Sequence, residues 1–133
     1  MRILAIDYGA RRTGLAVSDQ TGTLATPIET VERVGSKEGL EALLAIVRRE
    51  RPELIVVGLP RTPRGERGAQ ASASSAFAGR LRRLVPVPVE LEDERFTTTI
   101  AERTAVPAPA TGLDSRAAAV LLQGVLDGGR AAR

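Results

Sequence analysis

The sequence predicts a mixed α/β domain in which a five-stranded sheet is flanked by helices. The first quarter of the chain holds three short apolar segments joined by short turns, which indicates an antiparallel meander. The remainder alternates segments of helical periodicity with short apolar runs, which is typical of parallel strands joined by helical crossovers. The chain has 133 residues, a usual length for one domain, so we expect residues 1–133 to form a single unit.

The three strands of the meander are predicted at residues 3–7, 13–18 and 24–31. The sequence Gln20-Thr21-Gly22 is typical of a turn between the second and third strands. Pro27 lies inside the third strand, so we expect that strand to be interrupted or bent there.

A helix and a central strand are predicted next. Ser36 is the expected N-cap of the helix, which Pro52 ends. Within it, apolar side chains recur at helical spacing, at Leu40, Leu43, Leu44 and Val47. Residues 54–57 form a continuous apolar run closed by Gly58 and Pro60, which predicts a strand buried on both faces.

A second helix is predicted over residues 69–84, and its inward side chains are expected to be Phe77, Leu81 and Leu84. Residues 87–91 form a fifth strand, which its flanking prolines place at an edge of the sheet. Two more helices are predicted at 97–104 and 114–126, with a loop at 107–112 between them. This order of elements is that of the ribonuclease H-like fold.

The composition excludes several kinds of site. The chain has no Cys and no His, which excludes disulfides, thiolate or imidazole metal ligands and a Ser-His triad. No apolar run approaches the roughly 18 residues of a membrane span, so no membrane partner is expected. The first apolar run meets Asp7 after four residues, too early for a signal-peptide core.

Charge is distributed unevenly along the chain. The net charge is +3, and Lys37 is the only lysine among 19 basic residues. Such a composition could reflect a GC-rich genome, but the segregation of the charges is more informative. A basic stretch opposed only by Glu66 precedes an acidic cluster; the basic residues are Arg61, Arg64, Arg67, Arg80, Arg82 and Arg83, and the acidic ones are Glu90, Glu92, Asp93 and Glu94. This pattern suits a protein that holds a polyanion near a metal, although two solvated faces would give it as well.

Three carboxylates are candidates for chemistry. Asp7 ends the first predicted strand, where it could also belong to an ordinary hairpin turn. Glu94 follows the fifth strand in a cluster whose like charges a divalent cation would neutralise, or which could protect an edge strand from aggregation. Asp114 begins the last helix, where it could simply be an N-cap.

Oxygen ligands favour Mg²⁺ or Mn²⁺. Two such ions about 4 Å apart would activate a water and stabilise the leaving oxygen in phosphodiester cleavage. Asp7 would bridge the ions and Glu94 and Asp114 would bind one each, although the sequence leaves that division open. Nucleic-acid phosphates are expected to contact Arg12, Arg95 and the basic stretch from Arg61 to Arg83, above all Arg61 and Arg64. Aromatic residues are only Tyr8, Phe77 and Phe96, so base stacking is expected to be minor.

Five segments in order resemble the YqgF (RuvX) family. They are Ile6-Asp7-Tyr8-Gly9, residues 12–19 (RTGLAVSD), residues 56–60 (VVGLP), residues 93–98 (DERFTT) and residues 113–123 (LDSRAAAVLLQ). The resemblance implies a ribonuclease H-like domain related to Holliday-junction resolvases. It also implies a bacterial cytoplasmic nuclease for 5′-end maturation of pre-16S ribosomal RNA, with Asp7, Glu94 and Asp114 as its catalytic acids.

Two segments depart from the family's pattern. After Gly-Leu-Pro the family usually has a loop with Asn and Asp, whereas this chain has Arg61-Thr62-Pro63-Arg64-Gly65. Basic residues usually precede the last acid, whereas residues 107–112 read PAPATG. Both departures lie in segments expected to bind the substrate, and they leave the expected fold and metal site unchanged.

Several functions remain open on the sequence. The leading expectation is a metal-dependent nuclease acting on structured RNA, with pre-rRNA or ribosomal particles as partners. Alternatives are a resolvase of branched DNA, which should be a symmetric dimer, and a non-catalytic RNA-binding module. The chain is accordingly expected to be a monomer or a homodimer. A sugar-kinase or actin-like ATPase would need two such domains around the nucleotide.

Overall fold

A computed structural model describes residues 1–59, 69–93 and 113–128. One five-stranded sheet is formed by β1 (Ile3–Asp7), β2 (Arg12–Ser18), β3 (Ala25–Glu32), β4 (Leu54–Leu59) and β5 (Val89–Asp93). Helices α1 (Lys37–Glu50), α2 (Ala69–Arg82) and α3 (Leu113–Asp127) pack on it. The predicted mixed α/β fold is confirmed, while the predicted helix at 97–104 and loop at 107–112 lie outside the described residues.

The strands lie in the order β3-β2-β1-β4-β5. The first three pair in antiparallel fashion as the predicted meander, and β4 pairs in parallel with both β1 and β5. The carboxyl ends of β1, β4 and β5 therefore meet at one end of the sheet, which we call the carboxyl end, and the opposite end is the amino end. Ligands of open α/β sheets commonly bind at the carboxyl end.

The two faces of the sheet are covered by different helices. One face, the α1/α2 face, packs Leu4 and Ile6 of β1 against residues such as Leu43 and Leu81. The other, the α3 face, packs Ile3 and Ala5 against a helix side made of Ala118, Ala119, Leu121, Leu122, Val125 and Leu126. Because successive side chains of a strand alternate between faces, the apolar run of β1 supplies both cores.

Helix α1 has the predicted cap. The Ser36 hydroxyl accepts a hydrogen bond from the Gly39 N–H (3.1 Å) and donates one to the Arg33 carbonyl (2.7 Å). The helix ends at Glu50, followed by Arg51 in the left-handed region (φ 50°) immediately before Pro52. The predicted stop at this proline is confirmed.

Two local predictions need correction. Leu84 is 45% exposed because α2 ends at Arg82, so the helical periodicity does not reach it, and Ala78 is buried instead. Strand β5 begins at Val89 rather than at 87 and continues to Asp93, although it lies at the edge as predicted. The interruption or bend predicted at Pro27 is confirmed: a β-bulge lies there, opposite residues 14–16 of β2. Among the helices of the described ranges, none is long and apolar enough to cross a membrane.

Candidate active site

Asp7 is the last residue of the central strand and lies at the carboxyl end of the sheet, where it is partly buried. Ile3 and Ala5 pack on the α3 face, so strand alternation directs Asp7 to the same face. Asp7 pairs with Gly14 of β2, and Gly14 pairs with Thr30 of β3. These three residues form a row across the carboxyl end.

The start of α3 is attached to this row. The Ser115 side chain is fully buried, and its hydroxyl lies 2.8 Å from the Thr30 hydroxyl and donates to the Glu29 carbonyl (3.1 Å). Asp114 is the second residue of α3 and immediately precedes Ser115. The backbone of Asp114 is therefore held at the carboxyl end of the sheet, on the face to which Asp7 points.

The far end of α3 is fixed at the amino end of the sheet. The Gln123 side chain accepts a hydrogen bond from the Ala25 N–H (3.0 Å) and donates one to the Thr23 carbonyl (3.0 Å). Ala25 begins β3 and Thr30 is near its end, so α3 runs antiparallel to β3. The two side-chain anchors, Ser115 and Gln123, thus determine which end of the helix faces the candidate site.

Strand β5 carries most of the acidic cluster predicted from the sequence. Val89 is buried on the α1/α2 face and Leu91 packs there too, so Glu90 and Glu92 belong to the α3 face. The last residue of β5, Asp93, pairs with Leu59 at the carboxyl end. Glu94 follows at once in the sequence but lies outside the described residues. Within the described ranges, no three Asp or Glu residues are grouped to hold a metal ion.

The loop after Asp7 is held by Thr13. This buried side chain donates to the Gly9 carbonyl (3.2 Å) and accepts from the Gly9 N–H (3.4 Å). A β-carbon at Gly9 would lie 2.3 Å from the Arg12 carbonyl oxygen, so the position requires glycine. Tyr8 stacks on Phe77 of α2 with ring centroids 4.7 Å apart, and this contact ties the loop to the core.

The predicted phosphate contacts fall into three groups. Arg12 is exposed and, like the buried Ala16, belongs to the α3 face, which it shares with Asp7. Arg82 donates to the Val89 carbonyl (2.9 Å) at the start of β5, so the Arg80–Arg83 part of the basic stretch lies at the amino end. Outside the described residues lie Arg61, Arg64 and Arg95.

Two further arginines of the carboxyl end, Arg11 and Arg33, were not predicted from the sequence. The Arg33 N–H donates to the Arg11 carbonyl (2.9 Å), and Arg33 has a positive φ of 47°. No local sequence signal marks them, because their proximity depends on the pairing of β2 with β3. Next to them, a cavity of about 340 Å³ between β3 and α1 includes Glu29, Glu32 and Glu38 in its lining and is therefore unsuited to phosphate.

A five-stranded sheet of this order, with a carboxylate ending its central strand and a helix starting beside it, defines a ribonuclease H-like protein. Residues 1–128 match the RuvX family, described as Holliday junction resolvase, and the chain belongs to that family. This confirms the resemblance drawn from the five sequence segments.

Relatives and solved structures agree with this assignment. A Rhodococcus erythropolis protein named "Putative pre-16S rRNA nuclease" is 45% identical, over 95% of this chain and 77% of its own length. A Roseiflexus protein of the same name is 37% identical, over 97% and 96%. Thermus thermophilus RuvC, solved in complex with Holliday junction substrate, superposes with a TM-score of 0.60 at 19% identity, covering 97% of this chain and 96% of that one. The two relatives carry the name of a nuclease, and the RuvC likeness shows the fold.

Proposed function

We propose that this protein is a divalent-metal-dependent nuclease that hydrolyses phosphodiester bonds of structured RNA, in the 5′-end maturation of pre-16S rRNA. One observation carries the proposal: Asp7, the start of α3 and the acidic end of β5 meet at the carboxyl end of one sheet. The names of the relatives that are 37–45% identical support the RNA substrate. We further propose that residues 1–133 form one nuclease domain.

The donor chemistry fits a hard divalent cation. The chain has neither His nor Cys, so carboxylate and other oxygens are its ligands for a metal. Asp7, Glu94 and Asp114 would hold Mg²⁺ or Mn²⁺, and two ions are expected. Such a pair of ions, when bound, supplies water activation and charge stabilisation at the leaving oxygen.

The protein's own contribution is positioning. Asp7 is held by a central strand that is paired on both sides, and the loop that follows is closed by Thr13 on Gly9. Ser115 fixes the start of α3 against β3, and so the backbone of Asp114. Arg12 would bind a substrate phosphate on the face that Asp7 occupies. No side chain is required as nucleophile.

The test is a cleavage assay with Mg²⁺ or Mn²⁺ on single-stranded RNA, a pre-16S rRNA fragment and a four-way DNA junction. We expect the wild type to cleave the rRNA fragment and Asp7→Asn to abolish cleavage without loss of the fold, judged by circular dichroism. Asp127→Asn is the matched control, because this exposed carboxylate lies at the amino end of the sheet. An Asp7→Asn variant that cleaves like the wild type would contradict the catalytic role.

Holliday-junction resolution is the second candidate, because the family description names that activity. Paired cuts in two strands require two sites related by symmetry, so this function predicts a homodimer. Symmetric cutting of the four-way junction by a dimer, with intact RNA, would favour it. Binding of RNA without cleavage of any substrate would instead favour an RNA-binding module.

A further inference from the structure

We propose that Arg33, with Arg11 and Arg12, forms a surface that binds the phosphate backbone of the substrate beside the Asp7 site. The inference rests on the proposed function, because its ligand is the structured RNA that the site would cleave. Arg12 is a phosphate contact predicted from the sequence, whereas Arg33 and Arg11 are assigned by the structure. We call these three residues the arginine surface.

Arg33 holds a backbone conformation that an arginine rarely adopts. Its φ of 47° lies in the left-handed region, which favours glycine or asparagine. Three hydrogen bonds impose the conformation: the Arg33 N–H donates to the Arg11 carbonyl (2.9 Å), and the Arg33 carbonyl accepts from the Ser36 hydroxyl (2.7 Å) and N–H (2.8 Å). Strained residues that their surroundings over-determine concentrate at ligand sites.

The arginine surface lies at the same end of the sheet as Asp7. Arg12 pairs with Glu32, the residue before Arg33, and the Arg11 carbonyl accepts the Arg33 N–H. Residues 8–11 alone connect Asp7 to Arg12. The side chains of all three arginines are exposed, and none forms an ion pair within the described part of the chain.

The charges around these arginines favour an extended polyanion over a small anion. Lys37 begins α1 four positions after Arg33, and Glu29 of the adjacent cavity is already paired with Arg49. The four cations Arg11, Arg12, Arg33 and Lys37 therefore outnumber the two remaining carboxylates, Glu32 and Glu38. The acidic cavity between β3 and α1 repels phosphate, which leaves the α3 face, with Asp7 and Arg12, as the favourable path. Because Arg33 and the pair Arg11 and Arg12 lie on neighbouring connections, they can bind successive phosphates of one nucleic-acid backbone.

The test compares Arg33→Gly with Arg51→Gly. Both arginines have a positive φ, but Arg51 follows the last residue of α1 at the amino end of the sheet, so the two positions match in residue type and backbone conformation and differ in location. Glycine relieves the backbone strain at either position, and we expect both variants to unfold in urea at the wild-type midpoint or above it.

Binding of the pre-16S rRNA fragment is measured in the Asp7→Asn background, so that cleavage does not interfere. Arg33→Gly should raise Kd about threefold to tenfold and lower the slope of log K against log salt by about 1, while Arg51→Gly changes neither. Arg33→Lys, which keeps the charge, should restore most of the affinity.

Three results would overturn the inference. With a wild type that cleaves RNA, an Arg33→Gly variant of unchanged Kd and salt slope refutes the arginine surface and leaves the nuclease function standing. An equal loss in Arg51→Gly assigns the effect to net charge. A wild type that neither binds nor cleaves RNA overturns the proposed function and this inference together.

Discussion

The hydroxyl oxygens of Thr30 and Ser115 lie 2.8 Å apart, although these residues are separated by 85 positions in the sequence. The same Ser115 hydroxyl donates to the neighbouring Glu29 carbonyl (3.1 Å), so one buried group joins helix α3 to strand β3 at two points. Since Thr30 shares a row of the sheet with Gly14 and Asp7, this junction fixes the start of α3 beside the candidate catalytic acid.

Replacing Ser115 by Ala should lower the free energy of unfolding by about 1–2 kcal/mol, because the Glu29 carbonyl and the Thr30 hydroxyl each lose a partner in a part-buried hydrogen bond. Urea unfolding measures the change. Ser72→Ala removes an exposed helical hydroxyl and should shift stability by less than about 0.5 kcal/mol. If Ser115→Ala is as stable as the wild type, the junction is not an anchor of α3.

Two helical glycines should respond in opposite ways to substitution by alanine. A β-carbon at Gly39 would lie 2.0 Å from the Arg33 carbonyl oxygen and 2.7 Å from that of Glu32, whereas at Gly79 nothing lies within 4 Å. Gly39→Ala should therefore destabilise the protein by about 1–3 kcal/mol, because backbone must move. Gly79→Ala should stabilise it by up to about 1 kcal/mol through helix propensity. Thermal unfolding of the two variants side by side checks the signs, and a tolerated alanine at position 39 would contradict the close approach of α1 to residue 33.

Glu50 should make stability depend on pH. Burial opposes its ionisation, but hydrogen bonds from Arg49 (2.7 Å) and from Arg2 outweigh burial and hold the pKa of the Glu50 carboxyl below its ordinary value of 4.5. A carboxyl whose pKa is lower in the folded state stabilises the fold above its unfolded pKa, and this stabilisation disappears as the pH falls through the folded pKa.

The Glu50→Gln variant should therefore lose about 1–3 kcal/mol at pH 7, and the difference from the wild type should shrink as the pH falls below 4.5. Urea midpoints between pH 3 and pH 7 measure it. Glu29 also pairs with Arg49, but its side chain is 48% exposed, so Glu29→Gln should cost less than about 1 kcal/mol. A Glu50→Gln deficit that stays constant across this pH range would refute the electrostatic explanation.

Much of the fold could be predicted because hydrophobic periodicity and capping residues are local signals. Ser36 caps α1 and the 54–57 run forms a central strand, as predicted. The predicted burial of Leu84 is wrong because the helix ends before that residue. Leu84 follows the helical pattern of apolar residues but lies beyond the last turn of α2.

Of the candidate site, the sequence predicts three acids, and the structure describes the position of Asp7 and the backbone of Asp114, while Glu94 lies outside the described residues. Asp7 lies at the carboxyl end of β1, and the start of α3, with Asp114, lies beside it. Both positions could be predicted because the ends of strands and the starts of helices have local sequence signals. Arg33 could not be found in this way, since its proximity to Arg11 arises from cross-strand pairing. Conversely, the sequence places Arg82 in the same basic stretch as Arg61 and Arg64. Helix α2 runs toward the amino end of the sheet, however, so Arg82 lies at that end, next to the start of β5.

Within the described residues, one face of the sheet is covered by α3, and this has a consequence for synthesis on the ribosome. Strands β1 and β4 are translated well before α3, so Ile3, Ala5 and Val56 leave the exit tunnel before the helix that packs on them. The helix that covers this apolar surface also carries Asp114, which in the proposed function joins Asp7 in the metal site. If that function holds, a nascent chain exposes this face and lacks its proposed acidic centre until α3 has emerged, so burial of the core and cleavage competence arise in the same step.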